Sequence, residues 1–340
     1  MRDTIEVPVS VTTFASGPSD RPSRGFDWWL TSCSSWMVVG LYLDGWAHRH
    51  LHDLDTFFTP WHGVLYSGFV ACAGLLTWRR LRSGTLPPGY GPSFLGVGIF
   101  TLGGVGDLIW HTLLGVEVDL DALLSPTHLA LAAGGALIIS GPFRAEWLRQ
   151  RRGALTFSQA VPMLVSLTLV WSVFTFFTQF AHPLVHLWSA GPPPSGPFMP
   201  QALGIASILL QAALMAGAVL LAVRRWDLPF GSLSLVIVLN AALVGGLENH
   251  LGFVWLGLVS GLIADALLWT LKPSISRPTA FRVFACLVPA TFYALYFAAL
   301  ARAAGVWWAV PMWTGSIVLA GAVGWMLSLL ILPSTGSHQA

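Results

Sequence analysis

The stretch DGWAHRHLHDLDTFFTPWH, residues 44–62, separates two long apolar runs. It gathers four histidines and three aspartates in a chain of 340 residues that is 55% hydrophobic and only 9% charged. Soluble domains average about 25% charged residues, and the mean hydropathy here is +0.69. The composition therefore predicts a polytopic membrane protein, in which this polar stretch connects two spanning segments.

The apolar runs have the length of transmembrane helices. A helix needs about 20 residues to cross a hydrocarbon core of about 30 Å, and the alternating ten-residue strands of a membrane barrel are not seen. The sequence predicts an all-α integral membrane protein with ten spans, near residues 28–47, 60–78, 93–114, 126–143, 160–181, 200–223, 230–247, 251–271, 280–300 and 307–332.

The cations predict how the chain crosses the membrane. Of the 17 lysines and arginines, all but Arg49 and Arg302 fall in the N-terminal tail or in alternate loops. By the positive-inside rule those segments are cytoplasmic. Both termini are then inside, the helices form five hairpins with outward tips, and residues 44–62 are the first tip. We expect a multi-pass protein of the plasma membrane whose partner is the lipid bilayer. A net charge of +2, with cations confined to loops, gives no reason to expect nucleic-acid binding.

Two of the outward tips repeat a motif. Residues 54–62 are LDTFFTPWH and residues 120–128 are LDALLSPTH. Each copy follows an Asp-x3-His pair, and each has Ser or Thr before the Pro-x-His that opens the next helix. The duplication predicts four parts of the chain: a flexible tail at 1–26, a duplicated two-hairpin metal-binding unit at 27–145, further transmembrane helices at 146–332, and a short tail at 333–340.

The spacing of the repeat brings ligands together. An aspartate and a histidine four residues apart project from one face of a helix. Thr59 and Ser125 are predicted N-caps with proline at the first helical position, so the following histidine lies in the first turn of the returning helix. The sequence predicts two sets of three ligands: the first triad is Asp44, His48 and His62, and the second triad is Asp107, His111 and His128.

One carboxylate with two imidazoles suits copper, zinc or Fe(II), and three protein ligands leave positions open. A lone histidine or aspartate near a helix end is more often a solvated interface residue. The recurrence of the whole spacing favours metal sites. Asp55 and Asp121 either orient a ligand imidazole or are polar loop residues. His50 and His52 either supplement the first triad or belong to an exposed loop.

The third predicted tip contains a less complete version of the repeated motif. His182 and His186 are again four residues apart, but Thr178 stands at the aspartate position. This pair is either a further metal or haem site or a structural pair that caps the helix.

Around both triads the chain resembles the C subunit of the copper-dependent membrane monooxygenases, the particulate methane and ammonia monooxygenases. The resemblance rests on Asp-x3-His at Asp44 and His48 followed by Asp-Thr-x-Phe-Thr-Pro-x-His at residues 55–62. It implies that Asp44, His48 and His62 bind copper.

The family also has a downstream site formed by Asn-x3-His-Thr and a later Pro-x-His. Asp107, His111, Thr112, Pro126 and His128 take those places, with aspartate where the family has asparagine, and Glu117 lies near the family's acidic residues. The two motifs cover residues 40–130, about a third of the chain. The resemblance further implies either other monooxygenase subunits or a homo-oligomer as partners.

Two functions from different classes fit these residues. The first is a copper-dependent membrane monooxygenase, or a subunit of one, that oxidises small hydrophobic substrates with O2 at the outer face; zinc and non-haem iron are the alternative metals. The second is a membrane transporter or delivery protein for copper or zinc. Its route would need polar residues further inward, and the candidates are scattered: Gln179, Gln211, Asn240 and Asp265. A bis-histidine haem protein is a third reading, disfavoured by the carboxylates.

Overall fold

The computed structural model describes residues 24–51, 58–115, 119–149 and 154–332. Asp55, Glu117 and His52 lie outside these ranges. The described residues form twelve α-helices: α1 (Arg24–His50), α2 (Pro60–Ser83), α3 (Gly91–Leu114), α4 (Asp119–Leu124), α5 (Pro126–Ile139), α6 (Gly141–Leu148), α7 (Phe157–Phe177), α8 (Phe198–Arg225), α9 (Ser232–Gly246), α10 (Phe253–Leu271), α11 (Pro278–Ala303) and α12 (Val310–Ile331).

Six of these helices are long and apolar enough to cross a membrane, namely α3, α7, α8, α10, α11 and α12. Helices α5 and α9 are apolar but have only 14 and 15 residues. Each of the ten predicted spans coincides with a helix, although α1 and α2 are not as apolar as the six spanning candidates. The chain is thus an all-helical, multi-pass membrane protein, and ten crossings remain a prediction.

Two predicted spans end earlier than expected, and proline accounts for the first of them. The fourth breaks at Ser140, where α5 stops and α6 starts with Pro142 near its beginning. The fifth ends at Phe177, and only a short 3-10 turn, Gln179–Ala181, follows it. His182 is extended (φ −129°, ψ 121°), as expected for the residue before a proline.

Sequential helices pair closely as α1/α2, α3/α5, α9/α10 and α11/α12, as the predicted hairpins require. The remaining hairpin is more open, because α8 packs mainly on α12, and α7 mainly on α9 and α1. Helix α7 has the largest buried share of the six spanning candidates. It forms the centre of the bundle, against which the α1/α2 and α3/α5 hairpins pack.

Both hairpins of the duplicated unit are held together at glycines. A Cβ on Gly40 of α1 would lie 2.6 Å from the Cα of Leu65, and one on Gly68 of α2 would lie 2.6 Å from the Cα of Met37. In the second copy, a Cβ on Gly134 would lie 2.6 Å from the backbone nitrogen of Phe100. Small residues let membrane helices approach closely, so the helix ends that carry the ligands are brought together in each copy.

Polar contacts fix α1 at both ends. Near its start, the buried Asp27 accepts a hydrogen bond from the Tyr90 hydroxyl and pairs with Arg149, which joins the two copies at the end away from the triads. Near its other end, the Tyr42 hydroxyl donates to the Ser172 carbonyl of α7 at 2.8 Å. Asp44 lies two residues beyond Tyr42, so the central helix determines its position.

We expect Gly134→Leu to destabilise the protein by several kcal/mol, because a side chain there meets the backbone of α3 and overpacking alone costs about 1–3 kcal/mol. Gly98→Leu is the matched control, since Gly98 is exposed on α3 with no atom within 4 Å of its Cβ position. Thermal unfolding in detergent measures the difference. Equal melting temperatures for the two variants would contradict the close packing of α3 on α5.

Candidate metal centres

The structure brings the first triad together where α1 ends and α2 begins. Asp44 and His48 lie one turn apart on α1, and His62 lies in the first turn of α2. The Asp44 Oδ2 atom is 3.3 Å from Nε2 of His62 and 3.8 Å from Nε2 of His48. The N-cap prediction is confirmed: the Thr59 hydroxyl accepts the backbone N–H of His62 at 3.1 Å.

The second triad repeats this geometry on α3 and α5. The Asp107 Oδ1 atom is 3.5 Å from Nε2 of His111 and 3.3 Å from Nε2 of His128. Ser125 is the N-cap and accepts the backbone N–H of His128. The two imidazole rings are 5.8 Å apart here and 5.7 Å apart in the first triad, tilted by 54° in both. The sequence repeat is therefore also a repeat of side-chain geometry.

These distances suit a bound cation. Four ligands at about 2.0–2.1 Å from a tetrahedral ion are separated from one another by about 3.3 Å. Among the described residues, these two triads are the groups whose ligand atoms all lie within 4.8 Å of one another. Each triad therefore has the donor set and the spacing to hold a metal ion, with positions left for other ligands.

Hydrogen bonds on the far side of the rings set the tautomers in the second triad. The Nδ1 atom of His111 lies 3.2 Å from the carbonyl oxygen of Gly115, which only accepts. Nδ1 therefore carries the proton, and in the neutral ring the Nε2 lone pair faces Asp107. An imidazole lone pair and a carboxylate oxygen repel each other at this distance unless a cation lies between them.

A chain of hydroxyls orients the other ring. The Ser125 Oγ atom is 2.9 Å from Nδ1 of His128 and 3.2 Å from the Thr127 hydroxyl, and Thr127 donates to Asp107 Oδ1 at 3.0 Å. With Thr127 donating to Asp107, Ser125 donates to Thr127 and accepts from His128. Nε2 of His128 is then left as an acceptor facing Asp107, the tautomer a metal ligand needs.

The first triad lacks this chain, because Trp61 occupies the position equivalent to Thr127. Asp44 is 9% exposed, and its Oδ1 atom has no hydrogen-bond partner among the described residues. A buried carboxylate oxygen without a partner is costly. A metal ion bound to Asp44 would remove that cost, so the residues present fit the ion they are predicted to hold.

Both triads line one cavity of about 880 Å³ between the two hairpins and α7. Tyr66 of α2 separates them. Its ring lies 6.2 Å from that of His62, and its hydroxyl lies 3.2 Å from the position of a Cβ on Gly104, one turn before Asp107. The two centres therefore share a chamber, with a phenol between them.

Sequence reasoning missed the polar rim of this cavity. Arg49 pairs with Glu248 from the α9–α10 connection, and its NH1 group donates to Gln179 at 3.3 Å. Arg49, expected in a solvated loop, lies in the last turn of α1, and all three residues line the cavity. One signal was available: Arg49 is one of two cations outside the segments predicted to be cytoplasmic, where a positive charge needs a specific partner.

Two further candidate residues near the triads, His50 and Asp121, belong to neither triad. His50 stacks on Trp46, and its two ring nitrogens contact the Trp46 carbonyl and the Asn249 amide at 2.9 and 3.2 Å. Asp121 is exposed on α4, a short helix where a loop was expected. Neither belongs to a group with metal-ligand spacing.

His182 and His186 do not lie on one face of a helix, because α7 ends at Phe177 and His182 is extended before Pro183. His182 is buried, and its Nδ1 atom accepts the backbone N–H of Leu184 at 3.1 Å. Burial, helped by the neighbouring His186, lowers the pKa of His182 to about 3. Burial also lowers the pKa of His186, which lies on the cavity wall. His182 is therefore a neutral structural residue.

The fold and the site define a helical membrane protein with two Asp/His/His groups that could each bind a metal. Compared with family models, curated proteins and solved structures, the chain matches none. The resemblance to the monooxygenase subunit therefore rests on the two motifs alone.

Thr127→Val should weaken metal binding at the second triad about 10- to 100-fold, the usual effect of losing a group that orients a ligand. Affinity at the first triad should stay unchanged. Titration against a chromophoric chelator measures both. Thr101→Val is the control, because the Thr101 hydroxyl is exposed and donates only to the Val97 carbonyl of its own helix. An equal loss of metal affinity in the two variants would contradict an orienting role for Thr127.

Protein stability should fall as the pH is lowered from about 6.5 to 3. The unfolded chain protonates His182 near pH 6.5, whereas the folded chain keeps it neutral to about pH 3, so the unfolded state binds more protons in this window. His182→Asn, which keeps an acceptor for Leu184, should reduce the slope by up to about 1.4 kcal/mol per pH unit. Urea unfolding with a chelator present measures it, and identical slopes would contradict a buried neutral histidine.

Proposed function

We propose that the protein is a copper-binding membrane protein similar to the C subunit of the copper-dependent monooxygenases. It binds one ion at the first triad and one at the second, and acts as an oxidase of hydrophobic substrates, alone or as one subunit of an assembly.

The observation that carries this proposal is the duplicated geometry. Two independent helix pairs place a carboxylate oxygen 3.3–3.8 Å from two imidazole nitrogens, and both groups open to one cavity. A solvated interface residue needs no such repetition. The orienting hydrogen bonds of His111 and His128 extend the similarity to metal sites beyond the ligands themselves.

Copper is favoured over zinc and iron by the donor set. Two imidazoles with one oxygen suit copper, and the affinity of a given site for divalent ions peaks at copper. Asp107, in place of the family's asparagine, adds a negative charge to the second site. We expect this site to hold a divalent ion more strongly than an amide-containing site would.

The chain's own residues would create the conditions for oxidation. A bound copper ion would supply open coordination positions and one-electron chemistry. Asp44 and Asp107 compensate the charge of the ions, and the N-capped starts of α2 and α5 fix one imidazole each. Apolar side chains such as Phe100 and Phe176 line the rest of the cavity and limit the access of water.

A metal transporter is the second candidate, and its route would need polar groups below the triads. Two of the inward polar residues are already occupied, since Asn240 donates to Ser172 and Thr175, and Asp265 accepts the N-terminal amides of α9. Gln211 donates to Thr178, and its Oε1 atom has no partner among the described residues. The capping role of Asp265 agrees with the pairing expected of a buried carboxylate. These contacts favour a fixed site, and metal uptake into proteoliposomes would reverse that preference.

Metal analysis tests the proposal directly. We expect two copper ions per purified chain, one after His48→Ala or His62→Ala, and one after His111→Ala or His128→Ala. His50→Ala is the matched control, since His50 lies two residues from His48 but contacts Trp46 and Asn249. It should keep both ions.

Two results would overturn the assignment. Copper content that is unchanged in all four triad variants would exclude these residues as ligands. Stronger retention of zinc than of copper in a competition experiment would exclude copper as the preferred metal while leaving the sites in place.

A further inference from the structure

We propose that the cavity binds a single-chain amphiphile, a fatty alcohol or a close analogue, with its oxygen headgroup at the triads and its alkyl chain in the apolar lower part. This inference deepens the proposed function and rests on it, because it names the class of ligand that the metal centres face.

The size of the cavity is the first argument. At about 880 Å³, it lies in the upper part of the range of about 300–1,000 Å³ that holds ligands as large as drugs. A one- or two-carbon substrate would fill only a small fraction of this volume. The rest of the cavity wall would lack the van der Waals contacts that a longer ligand supplies.

The depth of the cavity is the second argument. Met37 and Phe100 line it two helical turns, about 10 Å, inward of Asp44 and Asp107. Ile139 lines it three turns, about 16 Å, inward of His128. Half a hydrocarbon core measures about 15 Å. The cavity therefore extends about 16 Å from the triads along the helix axes, close to half the thickness of a hydrocarbon core, which is the length an extended chain requires.

Polarity changes along this depth. The outer part contains both triads and the rim formed by Arg49, Gln179 and Glu248. Apart from Tyr66, the described residues that line the inner part are apolar, as at Met37, Val38, Leu65, Phe100, Gly135 and Ile139. Ordered water needs two to four polar partners. An occupant with one polar end and one apolar chain matches both parts, whereas a uniformly polar or apolar ligand matches only one.

Gly135 offers a way to shorten the cavity without touching a ligand residue. The Cβ position of Gly135 lies 3.7 Å from the Met37 Cε and Phe100 Cε2 atoms, which are ordinary contact distances. Gly135→Leu would extend from there into the space between two lining residues. The same substitution at Gly98, which is exposed on α3 with no atom within 4 Å, reproduces the added bulk outside the cavity.

The experiment uses full-length, copper-loaded protein in nanodiscs and a photoreactive dodecanol with a diazirine at the chain end. Unlabelled alcohols from butanol to tetradecanol compete for labelling. We expect labelled peptides that contain Met37 or Ile139, and competition that strengthens about fourfold per methylene until the chain fills the cavity. Gly135→Leu should weaken competition by dodecanol at least tenfold and leave competition by butanol unchanged. Gly98→Leu should change neither.

Three results would overturn the inference: labelling confined to lipid-facing residues, labelling that does not saturate, or equal competition profiles for Gly135→Leu and Gly98→Leu. Copper content separates this inference from the metal assignment. Saturable labelling of Met37 in a protein that binds no copper would support the chain-binding cavity and refute the metal sites. Two bound copper ions without such labelling would support the metal sites and refute the chain-binding cavity.

Discussion

The part of the structure that carries the two triads depends on one electrostatic constraint. Each triad brings hydrogen-bond acceptor atoms close together, and these atoms repel one another without a cation. A carboxylate oxygen faces two imidazole nitrogens within 3.3–3.8 Å, and in the second triad the rings are hydrogen-bonded so that their lone pairs point at the carboxylate. Such an arrangement is stable only with a cation, either protons on the imidazoles or a metal ion. The glycine contacts of α1 with α2 and of α3 with α5 maintain it, because they hold the ligand-bearing helix ends together.

The two copies share their geometry but differ in their surroundings. Thr127 gives Asp107 a hydroxyl donor, whereas Trp61 takes the equivalent place in the first copy, where Asp44 Oδ1 has no partner among the described residues. The first carboxylate is therefore free to contribute a second oxygen to a metal, while the second is fixed in direction. Since both triads face one cavity beside Tyr66, a ligand in that cavity would lie near two candidate metal sites whose carboxylates differ in their hydrogen bonding.

Much of the fold could be predicted from sequence because local physics determines it. Apolar length predicts the helices, and the Thr-Pro and Ser-Pro pairs predict where α2 and α5 begin. The sequence was less informative wherever a distant residue or a proline acts. The fourth predicted span breaks at Ser140, just before Pro142, and Asp265 caps α9 across more than 30 residues of chain. The Arg49–Glu248 pair joins residues 199 apart, beyond the reach of any local pattern.

The sequence by itself determined the chemistry of the two sites: the donor atoms, their spacing on each helix and their duplication follow from residues close together in the chain. Only the tertiary structure decided that the two sites face a common chamber, that α9–α10 and the turn after α7 complete its rim, and that its apolar depth reaches far below the ligands. The physical reason is that helical periodicity and capping act over a few residues. A cavity is the space left between helices, and its shape depends on how every helix around it packs.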